Sequence, residues 1–108
     1  MLDYRELLNE LLTYTASQKA SDLHLSPGNF PILRLFGRLV PLKKYSILDP
    51  ETLNGIIDVL LEAKKSRFLI EKEVDFSYSV NQEARFRVNV YQTKNIPAAT
   101  FRFIPREI

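Results

Sequence analysis

An α+β domain is the fold class this sequence predicts, and three observations predict it. First, Arg85-Phe86-Arg87-Val88-Asn89-Val90-Tyr91 alternates strictly, so Phe86, Val88 and Val90 share one face of a strand while Arg85, Arg87, Asn89 and Tyr91 share the other. The next segment repeats the pattern, with Ala99, Phe101 and Phe103 on an apolar face and Thr100, Arg102 and Ile104 opposite. Second, two segments carry apolar residues at helical spacing. Third, the links within each group of strands are short enough for antiparallel neighbours. The order helix, three strands, two helices, three strands then implies an antiparallel sheet of about six strands with helices packed on one face.

Each element has a local cause. Asp3 followed by Glu6 resembles a capping box, and Leu7, Leu8, Leu11, Leu12 and Thr15 follow at helical spacing, predicting a helix over 3–18. Ser21 to Ser26 alternates with Leu23 and Leu25 inward, and Pro27-Gly28-Asn29 ends the strand with turn residues. Ile32 to Phe36 and Leu39 to Leu42 flank Gly37-Arg38, a hairpin in which the glycine supplies the positive φ of the turn. Pro41 marks a sheet edge or strand end. Asp49-Pro50 places an N-cap before a proline at the first helical position, and Leu53, Ile56, Ile57, Leu60 and Leu61 form the apolar stripe of a second helix. Ala63 to Ser66 interrupts it, Phe68, Leu69 and Ile70 belong to a shorter third helix, and Val74 to Val80 alternates as a strand.

If the last two strands form a hairpin about Lys94-Asn95, Phe86 faces Phe103, Val88 faces Phe101, and Arg87 lies opposite Arg102. Like charges directly across a ladder cost stability, so an anion is expected between them. Nothing in these 108 residues is expected to supply that anion or act on it, and the chain reads as half of a site.

Composition bounds the alternatives. A length of 108 residues, 45% hydrophobic and 26% charged, fits one soluble domain with a single modest core. The absence of cysteine excludes disulfides, thiolate metal sites and cysteine nucleophiles, and is compatible with a cytosolic setting. A net charge of +2 is too small to imply nucleic acid without a clustered patch. Lys43-Lys44 and Lys64-Lys65 are short basic pairs in turns and make no such stripe. No apolar run reaches the roughly 20 residues of a membrane span, and the first residues lack signal-peptide order.

Other chemistry-bearing residues read as structural. His24 is the only histidine, with Asp22 two residues before it on the same strand face, which is too few ligands for a metal site. Glu71, Glu73 and Asp75 straddle a helix end and a strand start with no companion base, the pattern of a solvated terminus. With only Gly28, Gly37 and Gly55 the sequence holds no Gly-x-x-x-x-Gly-Lys-[Ser/Thr] loop to cradle phosphates, so no ATP hydrolysis is expected from these residues alone. No catalytic residue is assigned.

Five ordered segments carry a family resemblance: Ala20-Ser21-Asp22-Leu23-His24-Leu25, Arg34-Leu35-Phe36-Gly37, Asp75-Phe76-Ser77-Tyr78, Arg85-Phe86-Arg87-Val88-Asn89 and Phe101-Arg102-Phe103-Ile104-Pro105. Together they resemble the N-terminal domain of the type IV pilus retraction ATPases, the PilT-type twitching-motility proteins of the type II/IV secretion ATPase superfamily. The resemblance implies that residues 1–108 form a PAS-like domain. It also implies a following RecA-like ATPase domain, absent from this chain, which carries the Walker motifs and holds ATP with Mg. The assembly it implies is a cytoplasmic homohexamer, peripheral at the inner face of the cell membrane and working on an inner-membrane platform protein, with no direct membrane insertion and no nucleic acid partner. By motif position Arg87 and Arg102, and less directly Arg85, are the nucleotide-binding arginines it implies, suited by guanidinium geometry to phosphate oxygens. No tightly bound cofactor is expected on the domain alone. One departure is the hairpin tip, Asn95-Ile96-Pro97, where many members have Arg-Gly. A stand-alone PAS-like ligand sensor, which would need an internal pocket with convergent polar groups, and a purely structural oligomerisation module are the competing readings.

Overall fold

The computed structural model describes residues 3–81 and 84–105. The elements are α1 (Tyr4–Ser17), β1 (Asp22–Leu25), β2 (Ile32–Leu35), β3 (Arg38–Pro41), α2 (Pro50–Leu61), a 3₁₀ turn (Glu62–Lys64), α3 (Lys65–Glu71), β4 (Glu73–Ser79), β5 (Arg85–Thr93) and β6 (Ile96–Ile104). Helix α1 starts where Asp3 accepts a hydrogen bond from the Glu6 amide, and α2 starts where Asp49 accepts from the Thr52 amide at 2.7 Å with Pro50 in the first turn. α2 breaks at Glu62, and α3 ends on Lys72 in the left-handed region at φ +64°.

The six strands form one sheet in the order β3-β2-β1-β6-β5-β4, with every pair antiparallel. The segment holding α2 and α3 therefore carries the chain from one edge of the sheet to the other. β1 and β6 meet in the middle. The β5–β6 register is the one expected: Phe86 opposite Phe103, Val88 opposite Phe101 and Arg87 opposite Arg102, closed by Lys94 and Asn95 at φ +52° and +67°. β6 begins earlier than its apolar alternation suggests, taking in Ile96 and Pro97. β1 stops opposite Ala99, so β6 has only β5 beside it at Pro97, a place where a sheet tolerates a residue without an amide hydrogen.

The helices cover one face. Leu8, Leu11, Leu12 and Thr15 of α1 and Leu53, Ile56, Ile57, Leu60 and Leu61 of α2 are buried with Leu23, Leu25, Leu33, Phe86, Val88, Val90, Ala99 and Phe101 of the sheet. Phe86 packs edge-to-face on Phe101 and obliquely on Phe103, which places the aromatic cluster at the β5–β6 ladder. Of the third helix only Phe68 is buried, and Leu69 and Ile70 stay exposed.

The first hairpin differs from the sequence expectation. Leu35 pairs with Arg38, so the turn is Phe36-Gly37, and both residues have positive φ (+50° and +78°). Gly37 takes its φ as expected, but Phe36 bears the left-handed strain, and the residue is 95% exposed. The turn leaves Leu33 opposite Val40, while the pairing of Leu33 with Leu23 of β1 keeps it on the buried face. Replacing Phe36 with Asn, which tolerates this region, should raise unfolding stability by about 1 kcal/mol, read from chemical denaturation midpoints.

The two hydrogen bonds from Thr52, its amide first, hold the Asp49 carboxyl below its ordinary value of 3.8. A carboxyl depressed on folding contributes stability above its unfolded pKa and loses it as pH falls through the folded value. Thermal midpoints measured between pH 7 and pH 2 should therefore fall less steeply for Asp49→Asn than for the parent chain.

Candidate functional site

The uncovered face of the sheet is where the sequence-predicted arginines lie. Strand register places Leu39, Arg34, Asp22, Arg102, Arg87 and Ser77 in one row across all six strands. A second row runs Pro41, Ile32, His24, Thr100, Asn89 and Asp75. Arg85 stands on the same face at the start of β5, between Ser79 and Ile104. Three guanidiniums thus share the first row, and Arg34 is one the sequence reading did not assign. Its signal was present in the Arg34-Leu35-Phe36-Gly37 segment, but only the β1–β2 register shows that it neighbours Asp22.

Contrary to the expectation that the chain lacks a counter-anion, the domain supplies one to each arginine from the strand on its outer side, Asp22 of β1 to Arg102 and Asp75 of β4 to Arg87. Asp22 is nearly buried, with a side chain 8% exposed, and Oδ1 lies 3.3 Å from Arg102 Nε. Its Oδ2 lies 3.6 Å from Arg34 Nε and accepts from the Ser21 hydroxyl at 3.2 Å. Asp75 Oδ1 lies 3.2 Å from Arg87 Nε. The sequence reading missed both partners because Asp22 is separated from Arg102 by 80 positions, and because Asp75 is grouped along the chain with Glu71 and Glu73. In space Glu71 pairs with Arg67 within α3, while Asp75 belongs to the arginine face.

These pairs do not retract the arginines. The Arg87 and Arg102 side chains remain 66% and 76% exposed, and each ion pair engages Nε. Among the described residues no hydrogen bond engages the Nη atoms of either side chain, whereas Arg34 Nη1 donates to the Gly37 carbonyl at 3.3 Å. The uncovered strand positions carry Arg34, Arg85, Arg87 and Arg102 against Asp22, Glu73 and Asp75, four cations to three carboxylates. The face keeps a surplus positive charge after pairing.

His24 lies between Ile32 and Thr100 on this face. Its Nε2 is buried and has no hydrogen-bond partner among the described residues. Among the described residues no three His, Asp or Glu side chains gather into a metal site. The basic pairs fold back locally: Lys44 lies 3.7 Å from the Tyr14 ring centre, Lys64 5.0 Å from that of Phe76, and Lys65 3.0 Å from Asp58.

A groove of about 740 Å³ runs along α1 and the loop after β3, lined by residues including Asn9, Glu10, Tyr14, Lys44 and Tyr45. Burial, and then the nearby Glu10 carboxylate, push the Tyr45 phenol above its usual value. The groove lies on the outer surface of α1, away from the arginine face, and is not an internal chamber between sheet and helices.

No family model matches the chain. It is 35% identical over 101 residues to a type IV pilus retraction ATPase, PilT, of Pseudomonas aeruginosa, covering 94% of this chain and 29% of that protein. A twitching motility protein of Neisseria gonorrhoeae is 32% identical over 78 residues, 72% of this chain and 21% of that one. The crystal structure of the pilus retraction motor PilT with bound ADP aligns with a TM-score of 0.82 at 31% identity, over 93% of this chain and 29% of that chain. The ATPase DotB of Legionella pneumophila shares the fold, with a TM-score of 0.78 at 22% identity over 94% of this chain and 29% of its own.

Sheet order, helix-covered face and sequence match together define a sheet-bearing domain of the secretion ATPase superfamily. Within that superfamily the chain is a homologue of the PilT-type ATPases and has the fold of their N-terminal domain. It spans less than a third of the length of these relatives.

Proposed function

We propose that these 108 residues serve as the N-terminal domain of a hexameric type IV pilus retraction ATPase, presenting Arg87 and Arg102, with Arg85 beside them, to the phosphates of ATP. The observation that carries the reading is a row of guanidiniums on a sheet face that no described element covers, with no hydrogen bond to the Nη atoms of Arg87 or Arg102 among the described residues. In this reading a C-terminal RecA-like domain holds ATP and Mg and supplies the hydrolytic groups, and the arginine face closes over the phosphates as the other wall. Guanidinium forks match phosphate oxygens bidentately, and their contacts differ between ATP and ADP, so phosphate state can bias domain rotation.

The same reading places the motor at the cytoplasmic side of the inner membrane, working on the pilus platform protein. No helix among the described residues is long and apolar enough to cross a membrane. A stand-alone ligand sensor is less well supported, because the groove along α1 lies outside the core and away from the arginines. A purely oligomeric role would leave ATP turnover insensitive to the arginines.

In the full-length protein, Arg87→Ala and Arg102→Ala should each lower ATP turnover at least tenfold, about the value of a lost charge-assisted phosphate contact. Stability should change by no more than about 1 kcal/mol for Arg87→Ala, whose partner Asp75 is half exposed, and by more for Arg102→Ala, which takes one of two cations from the nearly buried Asp22. Equal losses in turnover and in thermal stability would assign the arginines to structure. Calorimetry on the 108-residue chain should detect weak ATP binding or none, since one wall alone is present; tight binding would move the site into this domain.

A further inference from the structure

We infer that Asp22 is a positioning residue that clamps Arg102 and Arg34 by their Nε atoms and so presents the Nη edge of Arg102 to an incoming phosphate oxygen. The inference rests on the phosphate-facing reading above and adds to it the residue that aims the arginine.

Asp22 is directly opposite Arg34 on one side and Arg102 on the other, so its carboxylate is the middle member of a cross-strand triplet. A carboxylate can approach a guanidinium along the Nε side or along the Nη edge. Here Asp22 approaches both arginines at Nε, with separations of 3.3 and 3.6 Å, and Asp75 approaches Arg87 at Nε with 3.2 Å. A carboxylate at Nε restrains the side chain without occupying the edge that would meet a phosphate bidentately. The burial of Asp22 screens it little from its partners and holds it in one place, and the Ser21 hydroxyl fixes Oδ2. Arg34 is tied down at both Nε and Nη1, by Asp22 and the Gly37 carbonyl, which makes it a fixed support on the far side of Asp22. Without such restraint, a long side chain that is 76% exposed would lose rotamer entropy when a phosphate arrived. Asp75 holds Arg87 in the same manner from the adjoining row.

The test is steady-state MgATP turnover by the full-length protein carrying Asp22→Asn, Asp22→Glu, Arg102→Lys and the Asp22→Asn/Arg102→Lys pair, with thermal midpoints alongside. Asp22→Asn should raise KM for ATP about fivefold with a smaller change in kcat, as expected when a contact is loosened rather than removed. Asp22→Glu should restore part of the loss, and the pair should be no worse than Arg102→Lys alone, because Asp22 acts through Arg102. Should Asp22→Asn fold poorly, Asp75→Asn, at a half-exposed carboxylate, makes the same measurement on Arg87. The positioning role is overturned if Asp22→Asn leaves KM unchanged, lowers it, or acts additively with Arg102→Lys. If Arg102→Lys itself leaves KM and kcat unchanged, the phosphate-facing reading fails first, and the positioning role fails with it.

Discussion

Pairing of β1 with β6 brings together residues 80 positions apart, and both faces of the sheet depend on it. Closing a loop of that length costs roughly 4 kcal/mol of chain entropy before any contact compensates. The compensation lies on the inner face, where Leu23 and Leu25 are buried against Phe101 and Ala99 beneath the two long helices. Without this pairing the sheet would be two separate three-stranded pieces, each with an extra exposed edge. With it, the first hairpin and the last are continuous, and Asp22 is delivered to Arg102.

The same register that buries the aromatic and aliphatic residues sets the chemistry of the opposite face, because strand side chains alternate. Every step that places Phe86, Val88 and Phe101 inward places Arg87 and Arg102 outward and side by side. Two adjacent guanidiniums would repel. The domain relieves this with one carboxylate from each neighbouring strand, Asp22 from β1 and Asp75 from β4. The relief is partial in charge and selective in geometry, since both carboxylates address Nε. A face built this way carries its own counter-charges and keeps a surplus of positive charge.

The first hairpin goes against local preference. Phe36 is a poor residue for a left-handed turn position and gains no burial in exchange, yet the Leu35–Arg38 pairing leaves it there. The second hairpin carries the same strain at only one of its two turn residues, Lys94. Asn95 tolerates positive φ, and its strands are long enough that the aromatic ladder alone dictates the pairing.

Helix positions, their caps, the alternating faces of β5 and β6 and the Arg87–Arg102 register were legible in the residues, because each follows from interactions a few positions apart. The ordered motifs likewise carried the PilT-type resemblance that the comparisons bear out. Arg34 and the ion-pair partners were not legible. Asp75 looked like one of three clustered acids, and Asp22 like a companion to His24, until strands distant in sequence were laid side by side. By itself the sequence determined which side chains turn inward and which outward, since that depends only on alternation along each strand. The tertiary structure alone decided which outward charges meet, because strand order and register across an 80-residue separation are set by the packing of the whole core.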